Sequence, residues 1–126
     1  MTLIEVLVAA AILAVGLSAL ATSIPVVLRV IADVRELSVA DRIASASTEQ
    51  LVMTWAASPA RVPATDTVVV DDSGREDPAG RFSVSWTLTP DRPIDGNTAL
   101  AVTVVWRAPD GRARSRVLRT YVAGVQ

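Results

Sequence analysis

MTLIEVLVAAAILAVGLSALATSIPVVL, residues 1–28, holds a single ionisable side chain, Glu5. The 23 residues from 6 to 28 carry no charge. At ~1.5 Å per residue a helix of that length extends about 35 Å, enough to cross a hydrocarbon core about 30 Å thick. Two general readings suit such a segment. A cleaved secretory signal would use Ala19-Leu20-Ala21 as its small-residue cleavage site, but residues 1–5 lack Lys and Arg and carry an acid instead. An ordinary signal anchor would be oriented by Arg29, Arg35 and Arg42 on its C-terminal side. Gly16 and Pro25 interrupt the span, one through backbone entropy and the other through a lost hydrogen bond and a ring clash.

Beyond residue 28 the helical period persists while one side turns polar. Val30, Val34, Leu37, Ala40, Ala44, Ser47, Leu51 and Trp55 recur at steps of three or four, and Arg29, Asp33 and Glu36 lie opposite. Arg29 and Asp33 stand at i,i+4. Pro59 biases Ser58 out of the helix, so the pattern predicts a stop near Ala57. A helix reaching from the N-terminus to that point would measure about 80 Å. Its first half reads as an anchor, residues 1–28, and its second half, residues 29–57, as the spine of a globular domain covering residues 29–126.

After a short loop at residues 59–63 the period changes from 3.6 to 2. Phe82, Val84, Trp86 and Leu88 alternate with Ser83, Ser85 and Thr87, predicting a strand over 81–89. Leu100, Val102, Val104 and Trp106 mark a partner over 98–107. Ala108-Pro109-Asp110-Gly111 has a proline for a turn corner and a glycine free to take positive φ, so residues 112–122 return as a further strand. Residues 65–71, with Val68, Val69 and Val70, form a first strand, joined to the second by the acidic segment 71–80. The expected sheet spans residues 65–124 as four antiparallel strands in meander order. A sheet with one apolar face needs a cover, and the helix stripe from Val30 to Trp55 is the surface left to supply it. The fold class expected is α+β, a long N-terminal helix on a four-stranded antiparallel sheet.

Composition narrows the chemistry. The 126 residues include no Cys and no His, and all twelve basic residues are Arg. A disulfide framework, thiolate and imidazole metal sites, thiol catalysis and Schiff-base lysine chemistry are thereby excluded. With thirteen acids the formal charge is -1, so any attraction to polyanions must be local. No Gly-rich phosphate loop, serine nucleophile site or paired acid and base is present, so the sequence points away from an enzyme and implies no cofactor. Trp55, Trp86 and Trp106 fall on the apolar faces and read as core.

The N-terminal run from Met1 to Leu13, with its carboxylate at the fifth position, resembles the mature N-terminus of type IV pilins and pseudopilins. The resemblance covers about 30 residues. It implies that a prepilin peptidase cuts before Met1, that the Met1 amine is N-methylated, and that Glu5 pairs with the N-terminal amine of a neighbouring copy. A physical argument runs alongside: a carboxylate in a membrane costs roughly 2.5 to 3.5 kcal/mol on insertion scales and persists with a partner. Methylation leaves the charge of the amine in place. The resemblance further implies a single-pass inner-membrane subunit that a pilus assembly platform extracts into a homopolymer, with Gly16 and Pro25 bounding a weak helical segment from Gly16 to Ile24. A pilus subunit for adhesion, motility or DNA uptake is the first expectation; a minor pilin or a type II secretion pseudopilin of the periplasm is the second.

Two further clusters have precedents in that family. Asp71, Asp72, Glu76 and Asp77 are four carboxylates in a short loop of the kind that can bind calcium, although their spacing is not that of an EF-hand and Arg75 sits among them. A solvated turn is the favoured reading, with no metal. Arg112, Arg114 and Arg116 would share one face of the last strand and could align with DNA phosphates. The alternative is a charged edge that blocks strand addition or meets acids on a neighbouring copy.

Overall fold

The computed structural model describes residues 2–92 and 94–123. Met1, the expected site of methylation, lies outside the described residues, as does Gly124 at the end of the expected sheet. Helix α1, Leu3–Ala57, is a single α-helix of 55 residues with Pro25 inside it. The chain divides into two compact units, Met1–Arg35 and Glu36–Gln126.

The first unit is helix alone, and its side chains are exposed from Leu3 to Ile31. The stretch from Gly16 to Ile24, expected to be weak, is helical throughout. Its hydroxyls fold back onto the helix: Ser18 Oγ donates to Ala14 O at 2.7 Å, and Ser23 Oγ and Thr22 Oγ1 donate to Ala19 O at 2.7 and 2.9 Å. Each of these hydroxyls is thus satisfied within its own helix.

In the second unit, β1 (Thr65–Val70), β2 (Phe82–Pro90), β3 (Asn97–Arg107) and β4 (Ala113–Ala123) form one antiparallel sheet in sequence order. The strand ends move by a residue from the sequence expectation for local reasons. Asp71 leaves β1 because its amide bonds Arg75 O and its carboxylate caps the following turn. Arg112 precedes β4 because its amide donates to Asp110 Oδ1 at 2.9 Å, closing the turn in which Gly111 takes φ 80°.

Alternation and register define two faces of the sheet. Val70, Phe82 and Trp106 make one buried row, and Val84 with Val104 and Trp86 with Val102 extend it. Ala40, Ile43 and Ala44 of α1 pack on this face in the same core. The helical cover is shorter than the stripe implies: Val30, Val34 and Leu37 are 56%, 61% and 43% exposed, and burial begins at Ala40. Small side chains at Ala40 and Ala44 permit close approach of helix to sheet, which larger residues would prevent. Trp106 is core, beside Phe82 with ring centroids 6.2 Å apart. Trp55 and Trp86 are half-buried and send their indole N–H groups to Ala123 O and Pro63 O.

Candidate functional site in the apolar helix and the basic strand

The start of α1 is built by two side chains three positions apart. Thr2 Oγ1 accepts the Glu5 amide at 3.3 Å, and Glu5 Oε2 accepts the Thr2 amide at 2.8 Å and the Thr2 hydroxyl at 3.3 Å. This is a reciprocal capping box, Thr at N-cap and Glu at N3, satisfying two amides that a helix start leaves orphaned. The carboxylate also sits at the positive end of the helix dipole. Glu5 therefore has a partner within its own chain, in addition to the neighbouring amine that the resemblance implies. The spacing Thr2-Leu3-Ile4-Glu5 is the signal that would have revealed it. Oε1 has no partner among the described residues.

C-terminal to this cap lies a surface that water does not favour. Leu3 is 80% exposed, Ile4 72%, Ile12 68% and Val15 70%. Among the described residues α1 is one helix long and apolar enough to cross a membrane, and its span window has no buried share. Exposed apolar surface on this scale is unfavourable in water, and α1 is a candidate membrane span.

The arginines of the last hairpin divide between faces. Register places Arg114 opposite Trp106 and Arg116 opposite Val104, on the face that α1 covers. Arg116 Nε reaches Asp41 Oδ1 on the helix at 2.5 Å, and Arg114 and Arg112 stand 3.9 and 4.0 Å from Asp110 Oδ2. The phosphate comb read from sequence is thus turned toward carboxylates of its own chain. Arg119 has the opposite parity and lies on the outer face beside Tyr121.

The acidic loop is a turn in which Asp71 and Asp77 commit their carboxylates locally. Asp71 Oδ1 accepts from Ser73 N, Ser73 Oγ and Arg75 N at 2.8, 2.6 and 3.0 Å, and Asp77 Oδ1 accepts from Ala79 N. The Ser73 hydroxyl, then the Arg75 amide, hold the Asp71 carboxyl below its ordinary pKa. Among the described residues no group of three or more acids is placed to hold a metal. Gly80 closes the loop, its amide on Asp77 O, and a Cβ there would lie 2.1 Å from Val70 O. No protein-family model, curated protein or solved structure matches this chain.

Proposed function

We propose that the chain is a pilin-like subunit that waits in a membrane through the apolar half of α1 and then assembles into a helical filament. The observation that carries this reading is an uninterrupted, fully exposed apolar helix with one carboxylate, Glu5, at its start and an α+β domain after it. In the membrane, lipid covers Leu3, Ile12 and Leu20; in the filament, neighbouring helices take the place of lipid. Assembly on this reading keeps the apolar surface dry throughout and requires a partner for the carboxylate at its edge.

Glu5 supplies the axial register. Its Oε2 is held by Thr2, while Oε1 remains for the N-terminal amine of the adjacent copy. A charge pair in a dry filament core is more directional than one at a wet surface, because the alternative is an uncompensated ion in low dielectric. A prepilin peptidase, an assembly platform and an inner membrane are the partners this reading calls for, and the product is a homopolymer with its sheets outward. It assigns no catalysis to the chain. DNA capture through Arg112, Arg114 and Arg116 is the weaker reading, since Asp41 and Asp110 already stand beside those guanidinium groups.

The test is the N-terminal mass of the protein from its native cells. A chain that begins with N-methylated Met1 supports the proposal. A chain beginning at Thr22, or one with an unmodified initiator methionine and an intact leader, overturns it.

A further inference from the structure

The outer face of the sheet holds a recess of about 660 Å³ at its β2–β3 turn end, lined in part by Arg92, Arg119 and Tyr121. That volume falls within the range of small-molecule sites. Neither guanidinium has a carboxylate partner among the described residues, unlike Arg81, Arg114 and Arg116. Two unspent, exposed cations over one recess constitute an anion-recognition feature, because a guanidinium fork matches a carboxylate in two parallel hydrogen bonds.

The rest of the lining narrows the ligand. Ala99 and Ala101 form a shallow apolar floor, and Tyr121, 60% exposed, provides an aromatic face beside it. Thr89, paired with Ala99 on the same face, adds a hydroxyl. Asp91 completes the set. Its φ of 56° places it in the left-handed region, where a non-glycine residue persists only if its surroundings hold it, and Oδ1 accepts the Gly96 amide at 3.3 Å. Its other oxygen remains an acceptor. A carboxylate among arginines repels a phosphodiester but accepts hydrogen bonds from the hydroxyls of a sugar.

We infer that this recess binds an acidic sugar unit, its carboxylate on Arg92 and Arg119, its ring against Tyr121 and its hydroxyls on Asp91 and Thr89. The source is either a polysaccharide of the cell that makes the protein or one on a foreign surface; the chemistry recognised is the same. This inference does not rest on filament assembly.

The experiment is calorimetric titration of the full chain in zwitterionic micelles with a galacturonic acid trimer, an uncharged galactose trimer and an oligothymidylate. The acidic trimer is expected to saturate the chain and to bind at least about tenfold more tightly than the neutral one. Arg119→Gln and Tyr121→Ala, both at exposed positions, should each weaken it about tenfold, whereas Arg114→Gln on the opposite face should leave it unchanged. If a variant fails to fold, the wild-type chain at high salt gives the same information, since screening should weaken the pairing severalfold. Absence of saturable binding, equal binding of the neutral trimer, preference for oligothymidylate, or loss through Arg114 rather than Arg119 would each overturn the inference. A binding trimer from the cell's own polysaccharide, but not from foreign ones, identifies the source.

Discussion

Glu5 is asked to do two things, and they separate by mutation. As N3 of a capping box it holds the Thr2 amide; in the proposed filament it would also neutralise a neighbour's terminus. Thr2→Ala removes the reciprocal cap, with a cost of about 1 kcal/mol to the helix start, and should leave filament yield near wild type. Glu5→Ala removes both interactions and should insert into the membrane normally yet give almost no filaments. Equal yields from the two variants, measured by sedimentation of sheared fibres, would reduce Glu5 to a cap. Asp71 makes an independent residue-level prediction. Because its folded pKa lies below the unfolded value, its contribution is fully present above the unfolded pKa and is lost as pH falls through the folded one. A carboxyl NMR titration should therefore show an Asp71 midpoint below the usual aspartate range, and Ser73→Ala should raise it; a midpoint at the ordinary value would contradict the turn as described.

At the scale of elements, the helix is fastened to its sheet by apolar contact reinforced by two ion pairs of unequal kind. Glu36 is 14% exposed at its side chain and reaches Arg81 at 2.6 Å, with Oε2 buried and unpaired; the Asp41 and Arg116 side chains are each 48% exposed. Arg81→Met strands a mostly buried carboxylate and should cost about 1–3 kcal/mol in urea unfolding. Asp41→Asn breaks a wet pair and should cost less than about 1 kcal/mol. Ile43→Ala, at a site 3% exposed, should cost about 2–5 kcal/mol. If Asp41→Asn proved the costlier of the two charge changes, burial would not be what sets their order. The same elements show what the sequence discloses. Alternation at Phe82–Leu88 and Leu100–Trp106 locates β2 and β3 and their shared buried face, because period two has one meaning on a half-buried strand. Parity alone also places Arg112, Arg114 and Arg116 together, but the covered face is fixed only by register with Trp106 and Val104, which no local pattern contains. The helix stripe misleads for a similar reason. Val30 and Val34 have the spacing of core residues, yet both are exposed and burial along the helix begins at Ala40. The recess at Arg92 and Arg119 joins residues far apart in sequence and has no linear signature.

At the scale of the whole molecule, the proposed filament makes the exposed apolar helix a surface for other copies of itself. On that proposal lipid and neighbouring helices would satisfy the same side chains, so the membrane-bound and assembled states would differ little in apolar burial and much in the partner available to Glu5. The absence of Cys makes a clean test of proximity possible, since any introduced pair reports only on contacts between copies. Leu13→Cys in the filament should cross-link adjacent subunits far more efficiently than the same variant dispersed in membranes. The most direct measurement is the cryo-electron microscopy reconstruction of filaments from the native cells. The account predicts α1 helices bundled along the fibre axis, sheets outside, and each Glu5 carboxylate within hydrogen-bond distance of a neighbouring N-terminal amine. Fibres whose axis lacks these helices, or native material that yields the chain only as single copies in the membrane, would contradict it.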